Sequence, residues 1–302
     1  MKNKPKITFI ICTYNRSGYL EDSLRSLLKS SCNRPIEFLV VDNNSTDETA
    51  SVVKRYQKEN KCIHYIKEPK QGLSHARNRG IREAQSPHIV FLDDDIRATS
   101  TLIPAWLAFF EEHPAAVAAG GKIHVQFDDP RPDWMSHFLL PLLGHHDLSH
   151  KRKAYPPNKY PFGGNMGFKK SIFTTIGFFD TDLGRKGKTL NAGEEKELFR
   201  RLRYKNENIY FLPDAFLYHR VNASRLTEQY IRKQALGLGQ SMRLQLAEAG
   251  LFKKSTNSFV ELGKWLASLL LGLGYCLIGQ WPKATMLFKF RKWIAEGYFR
   301  DH

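Results

Sequence analysis

Two rhythms of apolar positions alternate along the first hundred residues. Ile7–Thr13 is a short β-branched apolar run, and Leu20, Leu24, Leu27 and Leu28 then recur at the spacing of one helix face. Ile36–Val41 is a second continuous run ending at Asp42, after which Ser45 and Glu48 offer a capping box for a helix reaching about Lys58. Ile63–Ile66 reads as a third strand, Ser74–Ala84 as a third helix, and His88–Leu92 as a fourth strand that stops at Asp93, Asp94 and Asp95. Strand and helix alternate, so the pattern predicts an α/β fold with a parallel sheet and crossover helices on its faces. Such sheets bind ligands at the carboxyl ends of their strands, which here carry Thr13-Tyr14-Asn15, Asp42 and the aspartate cluster.

The rhythm stops near Gly120. From there to about Asn222 the chain reads as loop-rich, with Pro130, Pro132, Pro156, Pro157 and Pro161, then Gly163-Gly164-Asn165 and a helix from about Ala192. After His219 it reads as helical, with an apolar run over Trp265–Gly279. These fifteen residues fall short of the roughly twenty that span a bilayer. Lys264 and Lys283 flank the run, and Lys289, Arg291 and Lys292 interleave with Phe288, Phe290 and Trp293, which suits an anionic membrane interface. A buried helical hairpin or a dimer contact fits the same pattern. Trp134–Leu143 is a further apolar patch, suited to a lid or to a second membrane contact.

Composition narrows the class. The 302 residues are 42% hydrophobic and 25% charged, which argues for a folded soluble chain and against a disordered or polytopic one. Forty-six Lys and Arg against 30 Asp and Glu leave a net charge of +16, which attracts phosphates, nucleic acid or acidic lipid without choosing among them. Cys12, Cys32, Cys62 and Cys276 are scattered without C-x-x-C spacing, so buried thiols in a reducing cytoplasm are expected. MKNKPK leads directly into a strand, with no secretory signal in view.

The aspartate triplet carries the sharpest chemistry. Three adjacent carboxylates at a strand end repel one another, and a divalent cation bridging diphosphate oxygens relieves that repulsion. Alternation along the chain puts Asp93 and Asp95 on one side and Asp94 on the other, with Asp95 as direct ligand and Asp93 toward the ribose or the metal's waters. An exposed acidic turn is the plain alternative.

The stretches TFIICTYNR (Thr8 to Arg16), VVDNNSTDET (Val40 to Thr49), GLSHARNRGI (Gly72 to Ile81) and FLDDD (Phe91 to Asp95) resemble, in order, the nucleotide-sugar-binding motifs of family-2 glycosyltransferases. The resemblance continues through FGGNMGFKKSIFTTIGFFD (Phe162 to Asp180), GEEKELFRRL (Gly193 to Leu202) and Pro213 to His219, covering roughly residues 6–225. It implies a GT-A fold, a nucleotide-sugar donor with UDP preferred, Mn2+ or Mg2+ as cofactor, and direct displacement that inverts the anomeric centre. By this resemblance Thr13, Tyr14, Asn15 and Arg16 line the donor pocket, Asp42 accepts from the base's ring N–H, and Arg77 approaches the base or diphosphate. Asp93 and Asp94 join the donor contacts, and Asp95, Asp93 and His219 form the metal shell. Gly164 and Asn165, within Phe162-Gly163-Gly164-Asn165, form the wall beneath the donor sugar, and Arg225 is a further phosphate clamp. The family carries Glu-Asp where this chain has Glu194-Glu195; Glu195 takes the place of the catalytic base, with Glu194 as its rival.

The expected organisation is a GT-A domain over 1–225, with a nucleotide-sugar half 1–119 and an acceptor half 120–225, then a helical tail over 226–302 that is basic, apolar and membrane-associated. The acceptor is a glycan or lipid-linked glycan, and the place of work is the cytoplasmic face of a membrane. The chain lacks the Gln-x-x-Arg-Trp pattern of processive relatives, so one sugar per encounter is expected. Three rival readings exist. A nucleic-acid-binding protein would leave the carboxylate cluster unexplained, and a nucleotidyltransferase wants a Gly-rich basic loop where this chain has TYNRSGY; a catalytically dead donor-binding scaffold would follow if Glu195 cannot act as base.

Overall fold

The computed structural model describes residues 4–31, 35–184, 193–205, 207–247 and 251–299. Strands β1 (Ile7–Thr13), β2 (Ile36–Asp42), β3 (Ile63–Lys67) and β4 (His88–Leu92) alternate with helices α1 (Ser17–Ser31), α2 (Thr49–Glu59) and α3 (Leu73–Glu83). The four strands are parallel neighbours in the order β3-β2-β1-β4. Next come β5 (Ile96–Ala98), α4 (Leu102–Glu112), β6 (Ala118–Phe127), β7 (Lys153–Ala154), β8 (Asn165–Lys169), α5 (Ile172–Ile176), α6 (Glu194–Tyr204) and β9 (Ile209–Val221). They extend the sheet as β4-β8-β6-β9-β5, with β7 on β9, and the pairs β4/β8, β6/β8, β5/β9 and β7/β9 are antiparallel.

Both faces of the sheet are covered, which is why its central strands read as unbroken apolar runs. Phe9 and Ile11 of β1 share one core with Leu20 and Leu24 of α1, Val53 of α2 and Trp106 of α4. Ile10, pointing the other way, joins Ala76 and Ile81 of α3 and Leu198 and Phe199 of α6. Burying each of the large side chains, such as the fully enclosed Phe38 and Phe91, contributes about 1.5–3 kcal/mol.

The structure departs from the pattern-based reading in three places. The sheet is mixed, because the stretch read as loop-rich supplies β6, β8 and β9. Gly120 and Gly121 sit inside β6, where a side chain would strike Tyr155 and Pro161, or Asn165 and the Ala215 carbonyl; tight packing, not a turn, selects glycine there. The expected Ser45/Glu48 capping box is absent. Ser45 Oγ instead accepts from the Asn15 backbone N–H, and α2 opens at Thr49, whose N–H and hydroxyl both donate to Asp47 Oδ1. The helix expected from about Ala192 begins at Glu194; Ala192 itself lies outside the described residues, as does Cys32. Cys12, Cys62 and Cys276 are free thiols.

Residues 127–143 and 221–302 form a second compact unit, distinct from the one made by 1–126 and 144–220. It holds a 3-10 helix at His137–Leu143, a 3-10 turn at Ala223–Arg225, and helices α7 (Glu228–Ala247), α8 (Leu251–Leu277) and α9 (Trp281–Phe299). The apolar run Trp265–Gly279 lies in α8 up to Leu277, and the stretch Val260–Leu277 of that helix is long enough, by length and composition, to cross a membrane.

Candidate active site

Strand register gathers the polar residues. Thr13 pairs with Asp42 across β1 and β2, so both lie at one end of the sheet, and Asp93 leaves the same end of β4. Antiparallel pairing then brings two distant segments there: Asn165 opposite Leu92, and His219 opposite Ile96. The aspartate turn is held by Ser23, whose hydroxyl bonds to the Asp94 and Ile96 carbonyls and receives the Ile96 N–H, while the Arg220 N–H donates to the Asp95 carbonyl.

Asp93, Asp95 and His219 each turn one ligand atom inward, all within 4.8 Å of one another, and His219 Nε2 stands 3.2 Å from Asp95 Oδ1. Two carboxylates and one imidazole make a donor set that fits a hard divalent cation such as Mn2+ or Mg2+. Asp94 turns away to accept from Thr13 Oγ1 at 2.7 Å, and Arg16 reaches across to Asp94 at 2.7 Å and Asp95 at 2.6 Å. Burial raises the Asp94 pKa to about 7 against the lowering pull of Arg16. Burial also opposes charge on Arg16, but Asp94 and Asp95 outweigh it and hold the guanidinium firmly protonated. The donor pocket is the expected place for Arg16; in the structure its guanidinium pairs with the two aspartates.

The β1–α1 and β2–α2 loops are clipped together beside this cluster. Asn15 adopts a left-handed backbone (φ 52°), and its Oδ1 accepts the Thr46 N–H at 2.7 Å. Asp42 is buried, with Oδ1 accepting the Ser45 N–H and Oδ2 the Tyr65 hydroxyl, both at 2.8 Å. Burial, then the neighbouring Asp42 carboxylate, push the Tyr65 phenol up to about 12. Tyr14 is exposed on the rim. Neither Tyr65 nor Asn43, whose amide ties the Lys70 carbonyl and the Gly72 N–H to this loop, was singled out from sequence; a lone tyrosine in a strand carries no signal of its partner.

Arg77 is buried and forked between two carboxylates, 3.0 Å from Glu194 Oε1 and 2.9 Å from Glu195 Oε1. The resemblance implies an approach to the base or diphosphate; in the structure the Arg77 guanidinium pairs with the two glutamates. Its guanidinium lies 5.3 Å from the Phe179 ring centroid and 5.9 Å from that of Phe91. Glu195 keeps 25% of its side chain exposed against 4% for Glu194, so Glu195 is the one that can meet a substrate. Burial raises its pKa, Arg77 pulls it down and Glu194 pushes it up, with a net rise. The Cys12 thiol, close to Arg77 and Asp93, is driven by burial up to about 12 and is no nucleophile.

Two consecutive glycines join the carboxylate groups. A Cβ at Gly163 would fall on Glu195 Oε1 and Arg77, and a Cβ at Gly164 on Asp93 Oδ2. Asn165, expected beside the sugar, is buried instead: its amide donates to the Ala215 and Lys122 carbonyls and accepts from Trp106 Nε1. Arg225 lies in the second compact unit.

The sequence matches the model of the family described as glycosyl transferase family 2 over residues 8–177. The glucosyl-dolichyl phosphate glucuronosyltransferase of Haloferax volcanii is 22% identical over 245 residues, 79% of this chain and 77% of that one. The GalNAc(5)-diNAcBac-PP-undecaprenol β-1,3-glucosyltransferase of Campylobacter jejuni is 37% identical over 93 residues, so this chain spans only 30% of its length. In fold, a mannosyltransferase from Pyrobaculum calidifontis solved with GDP-Man and Mn2+ is similar at TM-score 0.60 and 19% identity, covering 98% of this chain and 88% of that one. The mixed sheet is therefore of the GT-A kind, and with the family match running from β1 to the end of α5 this chain belongs to glycosyl transferase family 2 and is a glycosyltransferase.

Proposed function

We propose that the enzyme transfers one sugar from a nucleoside-diphosphate donor, a UDP-sugar by preference, to a hydroxyl of a lipid-linked acceptor at the cytoplasmic face of a membrane, with inversion. The observation that carries this reading is the pair Gly163 and Gly164. A Cβ at Gly163 would meet Glu195 Oε1 and one at Gly164 would meet Asp93 Oδ2, so two consecutive residues bring the base candidate and the metal-ligand candidate to one wall of one site. The names of the Haloferax and Campylobacter relatives, which act on dolichyl- and undecaprenol-linked substrates, support the acceptor class.

Asp95, Asp93 and His219 would hold a divalent cation, which when bound offsets the charge of the departing diphosphate. Glu195 takes the proton of the acceptor hydroxyl as that oxygen bonds the anomeric carbon. The bond from that carbon to the diphosphate breaks on the opposite face, and the electron pair leaves with the nucleoside diphosphate. Arg77 keeps Glu195 ionised and aimed, while Arg16 keeps Asp94 and Asp95 in place. In this reading Tyr14 stacks on the base and Asp42 accepts from it, through the lone pairs its oxygens keep beyond the bonds from Ser45 and Tyr65.

The test is nucleotide-sugar binding and turnover across UDP-, GDP-, dTDP- and CMP-sugars, with Mn2+ or Mg2+ and with chelator, for the wild type and Asp95→Ala. The expected result is metal-dependent binding of one donor class, weakened by about 10²-fold in Asp95→Ala. No binding to any donor would overturn the proposal.

A further inference from the structure

The second compact unit carries an apolar surface that the proposed chemistry does not use. Along α8 and just beyond it, Leu262, Leu266, Leu270, Leu273, Leu277 and Trp281 stand between 54% and 88% exposed. A stripe this dense is left open only where something covers it. Three occupants compete: a bilayer that α8 crosses, a bilayer surface on which it lies, and a second copy of the chain.

The other flank of α8 decides between them. Gly272 is pressed against the Phe288 ring of α9, and Ser268 Oγ accepts a buried hydrogen bond from Arg291 Nε at 2.8 Å. Ser268 lies at the middle of the apolar stretch Val260–Leu277, so α9 runs alongside that stretch rather than beyond its end. α9 also carries Lys289 and Lys292, one intermediate in exposure and the other exposed. If α8 crossed the bilayer, α9 would enter the hydrocarbon beside it with three cations near the midplane, which is strongly unfavourable. If α8 lies flat, Lys289 and Lys292 stay near water and headgroups, while Arg291 remains buried against Ser268. Residues 221–302 contain twelve Lys and Arg against five Asp and Glu, a balance that attracts an anionic surface and repels a second copy. Glu261 pairs with Lys264 at one end of the stripe, and Trp281 with Lys283 closes the other, the composition of an interface anchor.

We infer that α8 is an in-plane anchor, its leucine face sunk into one leaflet of an anionic bilayer and α9 on its water side. The inference gives a lipid-linked acceptor a meeting place, but its test uses no substrate, so it and the proposed reaction can fail separately.

The full chain is floated with vesicles of phosphatidylglycerol and phosphatidylcholine, and with phosphatidylcholine alone. Wild type and Leu266→Glu/Leu270→Glu/Leu273→Glu are compared; these side chains are exposed, and equal melting temperatures confirm folding. The expected result is binding to the anionic vesicles, weakened more than about tenfold in the triple variant and released by alkaline carbonate. Bromolipid quenching that Trp281→Phe removes should be strongest for shallow bromines. Carbonate-resistant protein quenched most by deep bromines would mean a spanning helix and would overturn the inference. Equal binding by the triple variant would reduce the contact to charge alone, and dimers without vesicle binding would assign the face to a second copy; either overturns it.

Discussion

Arg77 is the side chain on which the base depends. Its guanidinium is buried and paired with both glutamates, so deleting it leaves two carboxylates facing each other with no cation between them. A base works ionised, so activity should rise as pH climbs through the Glu195 pKa, which burial has already raised and Arg77 holds back. Removing Arg77 removes the lowering influence. Arg77→Gln should therefore move the acid limb of the kcat/KM profile to higher pH and lower kcat by about 10²-fold near neutrality, and Arg77→Lys should restore part of the limb position without the fork geometry. A pH–rate profile from pH 5 to 9 checks this; a fall in kcat with an unmoved limb would mean that Arg77 serves only the donor.

At the scale of elements, what is legible depends on how each strand is buried. β1, β2 and β4 show in the sequence because both of their faces are covered, which leaves unbroken apolar runs bounded by polar ends. Thr13, Asp42 and the aspartates are legible with them, since they sit where those runs stop. β6 and β9 are not: β9 alternates buried and partly exposed positions through Pro213, and β6 contains two glycines and a lysine. What such strands bring to the site, the approach of His219 to Asp95 and of Gly164 to Asp93, is a matter of register that no local pattern records. The resemblance names His219 and the glycines as site residues, whereas the pairing of Arg16 and Arg77 with carboxylates is a tertiary contact that no motif records. The start of β8 gives a direct check. The Gly163 backbone lies outside the left-handed region, so alanine is tolerable to the backbone while its methyl would displace Glu195 and Arg77. Gly163→Ala should melt within a few degrees of the wild type yet lose about 10²-fold in kcat, because a displacement of about 1 Å at a reacting group is enough. Calorimetry beside steady-state kinetics separates the two effects.

For the molecule as a whole, pH acts through buried groups more than through the surface charge of +16. His146 is the clearest case. It is buried in the first compact unit, its Nε2 lies 2.7 Å from the Tyr155 hydroxyl, and its ring stacks at 4.4 Å on Phe162, the residue before the two site glycines. Burial, helped by Lys159 and His145, pushes its pKa from 6.5 down to about 4. The folded chain therefore keeps the imidazole neutral across a range in which the unfolded chain protonates it. Below pH 6.5 the unfolded state binds the extra proton, so stability is fully present above that value and is lost as pH falls toward about 4. The full shift corresponds to about 3 kcal/mol. Carboxylates titrate in the lower part of the same window, and a variant is needed to separate them. His146→Phe cannot titrate and keeps the stack on Phe162; it leaves the Tyr155 hydroxyl without its partner and should lower stability at every pH. Its urea unfolding free energy should nevertheless fall less steeply than that of the wild type between pH 6.5 and 5, because the carboxylates that titrate there, Asp94 among them, are common to both proteins. Parallel curves over that interval would mean that the imidazole is free to charge in the folded protein, and that the packing beneath the glycine wall is looser than the buried ring implies.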